Sequence, residues 1–239
     1  FYEKIIKSNF NILKFDDPVY ELKSIKNSNE IKHMIEAHKK DGLALTKFIY
    51  WIKNINKKKI TEVYAQNKLN KFRKQNKDYL FPSFDTIAGA GSNGAIVHYR
   101  ANKKTTKKIE QNDILLVDSG GQYHYGTTDV TRTISFSKQN KFIKNAYTNV
   151  LKGHIAVALT NLNKDDTGKK IDIRARKYLK KEGQDYAHGT GHGVGFFLNV
   201  HEGPQSISKH NSIKIKNGMI LSNEPGFYKI NTLVLGSKT

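Results

Sequence analysis

Cysteine is absent from the 239-residue sequence, which excludes a disulfide framework, thiolate-held zinc and a thiol nucleophile. Any metal must be bound by carboxylates and imidazoles. Long apolar runs are missing too. None exceeds five residues, and the aliphatic run Ile114-Leu115-Leu116-Val117 has the length of a strand, whereas a helix crossing a bilayer needs about 18 to 20 such residues. No membrane span is expected. The opening stretch FYEKIIKSNF holds neither the apolar segment nor the small-residue cleavage site of a secretory leader, so a cytoplasmic location is the expectation. Three common signatures fail as well: no G-x-x-x-x-G-K-[ST], no G-x-S-x-G and no H-E-x-x-H occurs.

Arginine is scarce. Of 41 basic residues only Arg73, Arg100, Arg132, Arg174 and Arg176 are arginines, against 21 acidic residues and a net charge of +20. Such a charge brings nucleic acid into consideration. Base and phosphate readers, however, rely on the planar arginine fork, and single-strand binders interleave cations with aromatics. Here lysines are scattered among Asn and Ser, and the densest runs, Lys57-Lys58-Lys59 and Lys103-Lys104 with Lys107-Lys108, fall where turns are expected. They read as solvated surface, and nucleic acid is not the expected partner.

What is present is enough for a core: 37% of residues are hydrophobic and 10% aromatic. Residues 1–26 read as an extended lead-in belonging to an absent N-terminal region, and residues 27–239 as one domain. Ile31, Ile35, His38, Leu45, Phe48, Ile49 and Ile52 recur at three- and four-residue steps and predict an amphipathic helix over 29–54. Further helices are predicted from Thr61 as N-cap to Arg73, over 138–160, and over 169–181 with Gly183 beyond its end. Strands are predicted at 86–88, 95–99, 113–119, 129–136 and 219–224. The class is α+β.

Gly89-Ala90-Gly91-Ser92-Asn93-Gly94 fits G-x-G-x-x-G, but the strand-like residues after it favour a plain glycine-rich turn over a dinucleotide fingerprint. Asp118 closes one strand and Asp129 opens the next. If register sets them opposite each other, two like charges need a cation between them; the alternative is two aspartates capping strand ends. In His188-Gly189-Thr190-Gly191-His192-Gly193-Val194-Gly195 the glycines rule out a helical face and let backbone approach a ligand. His201 follows, placed before a turn by Glu202-Gly203-Pro204. Glu224 ends the segment 219–224 ahead of Pro225-Gly226 and reads either as a site acid or as a solvated terminus.

Four blocks together resemble the pita-bread metallopeptidases, and among them the Xaa-Pro aminopeptidases. The blocks are Asn93-Gly94-Ala95-Ile96-Val97-His98-Tyr99, Asp118-Ser119-Gly120-Gly121 through Thr127-Thr128-Asp129-Val130-Thr131-Arg132-Thr133, the run from His188 to His201 with Glu202-Gly203-Pro204, and Asn223-Glu224-Pro225-Gly226. The likeness covers residues 18–228 and implies a curved, antiparallel-rich sheet covered by helices. It implies that Asp118, Asp129, His192 and Glu224 bind two divalent metal ions, with manganese preferred, and that a hydroxide shared by the ions attacks peptides with proline in second position. Glu224 would move the proton, His201 would stabilise the oxyanion, and His98 and His188 would line the substrate pocket with His201. A homodimer is left open. The family also carries a second glutamate ligand soon after the Glu-Pro-Gly turn, yet no Asp, Glu or Arg follows Glu224 in this sequence. That departure gives a different-class alternative: a non-catalytic peptide- or protein-binding module on the same fold.

Overall fold

A computed structural model describes residues 15, 17–56 and 60–229, and the backbone of 233–236. Most of the expected lead-in and the lysine run at 57–59 lie outside the described residues. The part of the lead-in that is described is not extended. Helix α1 (Pro18–Ser24) starts with proline in its first turn, where a missing N–H costs nothing, and Asp17 caps it by accepting from the Val19 N–H. Past α1, Lys26 buries its ammonium against Glu202, joining this segment to the body of the domain.

Helix α2 (Ser28–Asn54) opens with a capping box in which Asn27 and Glu30 satisfy each other's backbone N–H groups. Its buried stripe is Met34, Ala37, Asp41, Ala44, Leu45, Phe48 and Ile52. Ile35, expected inside, faces solvent. The stripe runs through a carboxylate, Asp41, which apolar periodicity does not register. Helix α3 (Glu62–Arg73) follows with Thr61 capping the Tyr64 N–H, as expected. Helices α4 (Lys141–Ala158) and α5 (Gly168–Lys180) cross closely: a β-carbon on Gly153 would stand 2.3 Å from the Ala175 carbonyl oxygen. Gly183 adopts the left-handed conformation past the end of α5.

All strand pairs among the described residues are antiparallel. Strands β1 (Tyr79–Pro82), β4 (Gly121–Tyr123) and β5 (Gly126–Thr127) form one sheet in the order β1-β4-β5, and β2 (Ile87–Ala90), β3 (Ile114–Ser119) and β6 (Val130–Ser135) form another in the order β2-β3-β6. Strand β7 (Gly191–Gly193) pairs with β8 (Glu202–Ile207), and β9 (Gly226–Lys229) with β10 (Leu233–Gly236). The main core lies between the β2-β3-β6 sheet and helices α2 and α3, built on Phe48, Ile52, Leu69, Leu115, Val117 and Ile134.

Two predicted strands are corrected. Residues 95–99 are not a strand: a 3-10 turn, Gly91–Ala95, is followed by His98 at φ 56°. The cause is Glu62, whose buried carboxylate accepts from Ala90 N–H, Asn93 Nδ2, the Tyr99 hydroxyl and Lys107 N–H and folds the segment around itself. Residues 219–224 make only isolated bridges, Ile25 with Met219 and Gly193 with Leu221. Beyond Glu202 there is likewise no turn; β8 begins at once.

Candidate functional site

Asp118 lies near the end of β3 and pairs across the ladder with Thr131, not with Asp129. The register expected to oppose the two aspartates is therefore offset by two residues. That spacing still leaves both on one face of the sheet, as diagonal neighbours. From the other side, Ser222 N–H donates to the His192 carbonyl at 2.8 Å and Glu224 N–H to the Thr190 carbonyl at 2.7 Å, laying Glu224 alongside β7. Gly191 is required there, since a β-carbon would be 1.9 Å from the Ser222 carbonyl oxygen.

These elements enclose a cleft of about 470 Å³ whose walls include Asp118, Asp129, His192, Glu224, His98, His188 and His201. All seven sequence candidates thus share one cavity. His192 Nε2 stands 3.3 Å from Asp129 Oδ2 and 3.2 Å from Glu224 Oε1, and Glu224 Oε1 also accepts from Ser222 Oγ at 2.7 Å. The His201 ring meets the His192 ring edge-on, centroids 4.2 Å apart. His188 donates from Nδ1 to the Gly189 carbonyl and accepts at Nε2 from the Tyr228 hydroxyl at 2.9 Å.

The electrostatics of the centre call for a cation. His192 Nδ1 is 2.8 Å from the Gly193 carbonyl oxygen, which can only accept, so Nδ1 carries a proton and Nε2 is the nitrogen turned toward the carboxylates. Two carboxylates around one imidazole nitrogen are favourable only with positive charge among them. Fixing the tautomer through a backbone carbonyl is also how metal-binding histidines are commonly oriented. Among the described residues no three such side chains already form a finished metal cage. The donor chemistry nonetheless fits: three carboxylates and one imidazole suit a hard divalent ion.

Three polar networks hold the cleft, and sequence reading missed all of them. Glu62 fixes the segment carrying His98, and the Tyr99 hydroxyl within that network is pushed up to about 12 by burial and by the Glu62 carboxylate. On α5, Arg176 donates to Asp172 Oδ2 (2.8 Å), Asp185 Oδ1 (2.7 Å) and the carbonyls of Tyr186 (2.6 Å) and His188 (2.7 Å), while Thr190 donates to Asp172 Oδ1 at 2.6 Å. This ties both ends of the His188–Thr190 turn to one helix. Burial opposes the Arg176 charge, but its bonds to Asp172 and Asp185 outweigh that and raise its pKa. Partial burial likewise works against the Asp185 charge, and the Arg176 hydrogen bond prevails and holds the carboxyl below its ordinary 3.8. A carboxylate lowered on folding stabilises above its unfolded pKa and loses that contribution as pH falls through the folded value. The stability difference between wild type and Asp185→Asn is therefore expected to be complete near neutrality and to shrink at pH values below about 4, as read by thermal unfolding across pH. The third network pairs Asp41 with Arg73 beneath β3. Finally, His154 on α4 donates to the Asn223 carbonyl at 3.1 Å, and Asn223 Nδ2 returns a bond to the His154 carbonyl. Burial lowers the His154 pKa, favouring the neutral ring.

The chain matches the profile of metallopeptidase family M24 over residues 32–237. A probable Xaa-Pro aminopeptidase P of Arthroderma gypseum is 44% identical over 225 residues, covering 92% of this chain and 35% of the relative. A probable Xaa-Pro aminopeptidase P of Coccidioides posadasii is 45% identical over 218 residues, covering 89% of this chain and 36% of the relative. This chain thus spans about a third of the length of these relatives. Among solved structures, the X-prolyl aminopeptidase of Caenorhabditis elegans, described as a cytosolic enzyme with a di-nuclear active site, superposes with a TM-score of 0.87 at 35% identity, covering 93% of this chain and 37% of that one. The prolidase of Pyrococcus furiosus superposes with a TM-score of 0.81 at 29% identity, covering 95% and 64%. A family match of this extent, with relatives at this identity, leaves one assignment: the chain belongs to metallopeptidase family M24 and has its pita-bread fold.

Proposed function

We propose that the chain carries the catalytic centre of a metal-dependent aminopeptidase that releases the first residue from peptides with proline in second position. The observation carrying this reading is the convergence of Asp129, His192 and Glu224, the imidazole within 3.3 Å of both carboxylates, with Asp118 on the same strand face. Asp118, Asp129, His192 and Glu224 would hold two divalent ions. Manganese is favoured because carboxylates outnumber the single imidazole and no thiolate exists. When bound, the ions would supply Lewis acidity, acidifying a water and polarising the scissile carbonyl.

The rest falls to the chain. Glu224 takes a proton from the attacking water and passes it to the departing proline nitrogen. His201, packed against His192, donates a hydrogen bond to the oxyanion. His98 and His188, both on the cleft wall, contact the peptide, the second steadied by Tyr228. A cytoplasmic setting belongs to the same proposal. It is consistent with the cytosolic description of the C. elegans relative, and no helix among the described residues is long and apolar enough to cross a membrane.

A second reading has an observation of its own. No acidic residue follows Glu224 within the 239 residues, and Lys229 pairs with Leu233 between β9 and β10, so these residues hold no counterpart of the second glutamate of the family pattern. A peptide-binding module would then remain. Cleavage decides between them. With manganese supplied, an Xaa-Pro peptide is expected to lose its first residue, chelation to stop the reaction, and fresh manganese to restore it. Peptide binding without cleavage under those conditions would favour the module.

A further inference from the structure

We propose that Arg100, paired with Asp85 at the mouth of the cleft, is a specificity-determining residue that captures the free C-terminal carboxylate of a short peptide substrate. This rests on the peptidase reading and names the kind of substrate it prefers.

The arginines sort themselves by location. Arg73 and Arg176 are buried in ion pairs, Arg174 is tied to Asp165, and Arg132 lines a separate cavity between β6 and α4. Arg100 alone among them lines the cleft, and no lysine does so among the described residues. The cleft therefore sets one permanent cation against four carboxylates, Asp85, Asp118, Asp129 and Glu224.

Position separates the inner three carboxylates from the fourth. Ile87 pairs with Asp118 across β2 and β3, and Asp85 lies two residues before Ile87, outside β2. Arg100 reaches it from the far end of the glycine-rich segment at 3.1 Å, with both side chains largely in water, 76% and 72% exposed. An exposed pair of this kind is weak, so an incoming carboxylate displaces Asp85 at small cost. The guanidinium fork suits that partner, since it grips a carboxylate through two parallel N–H groups. Its base is steady: neighbouring Tyr99 is buried and hydrogen-bonded to Glu62. A peptide with its amino end among the inner carboxylates and its chain leading outward brings a nearby C-terminus to Arg100. A long polypeptide passes without that contact.

The test uses Xaa-Pro-Yaa tripeptides, each as free acid and as C-terminal amide, on the manganese-loaded chain, with turnover and calorimetric binding both read. Wild type is expected to favour the acid about fivefold, the scale of an exposed charge pair. Arg100→Gln is expected to remove the preference, and Asp85→Asn, which frees Arg100 from its partner, to raise it above wild type. Neither side chain is buried, so both variants should fold. Equal binding of acid and amide by wild type, or the same preference in Arg100→Gln, would overturn the proposal. Preference in binding with no cleavage of any peptide would support it while overturning the peptidase reading. Absence of all peptide binding would overturn both.

Discussion

Replacing Asp41 by alanine is expected to destabilise the chain by about 3 to 5 kcal/mol, the cost of leaving a buried charge without its partner. Asp41 and Arg73 are 0% and 1% exposed, joined through two hydrogen bonds of 2.6 and 3.0 Å. Arg73 also donates to Ser119 Oγ at 3.0 Å, and the Tyr123 hydroxyl donates to Asp41 at 2.8 Å. Burial opposes the Arg73 charge, yet the Asp41 carboxylate more than compensates and raises its pKa. Burial and the same carboxylate raise the Tyr123 pKa. One pair thus locks α2, α3, β3 and β4, and Ser119 is the immediate neighbour of Asp118. Urea unfolding of Asp41→Ala would read the loss as a lower midpoint at unchanged slope. A double replacement, Asp41→Leu with Arg73→Met, should recover a large part of it, because an apolar pair of similar size removes both stranded charges. A loss under about 1 kcal/mol, the level of an exposed pair, would contradict this account.

The second large effect is on chemistry. Glu224→Gln is expected to lower Xaa-Pro cleavage by about 10²- to 10⁴-fold, the range for removing a positioned acid–base group. The fold should survive: Glu224 is half-buried, its backbone N–H bond to Thr190 is untouched, and an amide oxygen still accepts from Ser222. Circular dichroism and the unfolding midpoint should match wild type while turnover falls. Cleavage within threefold of wild type, at equal metal content, would remove Glu224 from the proton-transfer role.

Asp41 and Glu224 also mark what the bare sequence reveals. Glu224, Asp118, Asp129, His98, His188, His192 and His201 stand in short motifs whose glycines and prolines announce backbone close to a ligand. They were legible, and the structure places all of them on one cleft. Helices α2 to α5 were legible for a similar reason, since Thr61 is a local cap and periodicity is local, whereas α1 was read as extended. What was not legible depends on partners far along the chain. Asp41 meets Arg73, Glu62 meets Asn93 and Lys107, and Lys26 meets Glu202. Each is a charged residue on a surface-like pattern until its partner is known. The same long-range bonds from Glu62 put a 3-10 turn, Gly91–Ala95, and irregular chain after it where a strand at 95–99 was expected. Register between β3 and β6 is set by pairing along the whole ladder, which two aspartates alone do not specify.

The central claim is that Asp118, Asp129, His192 and Glu224 bind a pair of divalent ions without a second glutamate after the Glu-Pro-Gly turn. Metal content per chain, measured after manganese loading and desalting on protein of verified mass, tests it most directly. The account predicts two retained ions in wild type and a loss of metal in Asp129→Ala. Fewer than two ions in folded wild-type chain would contradict it.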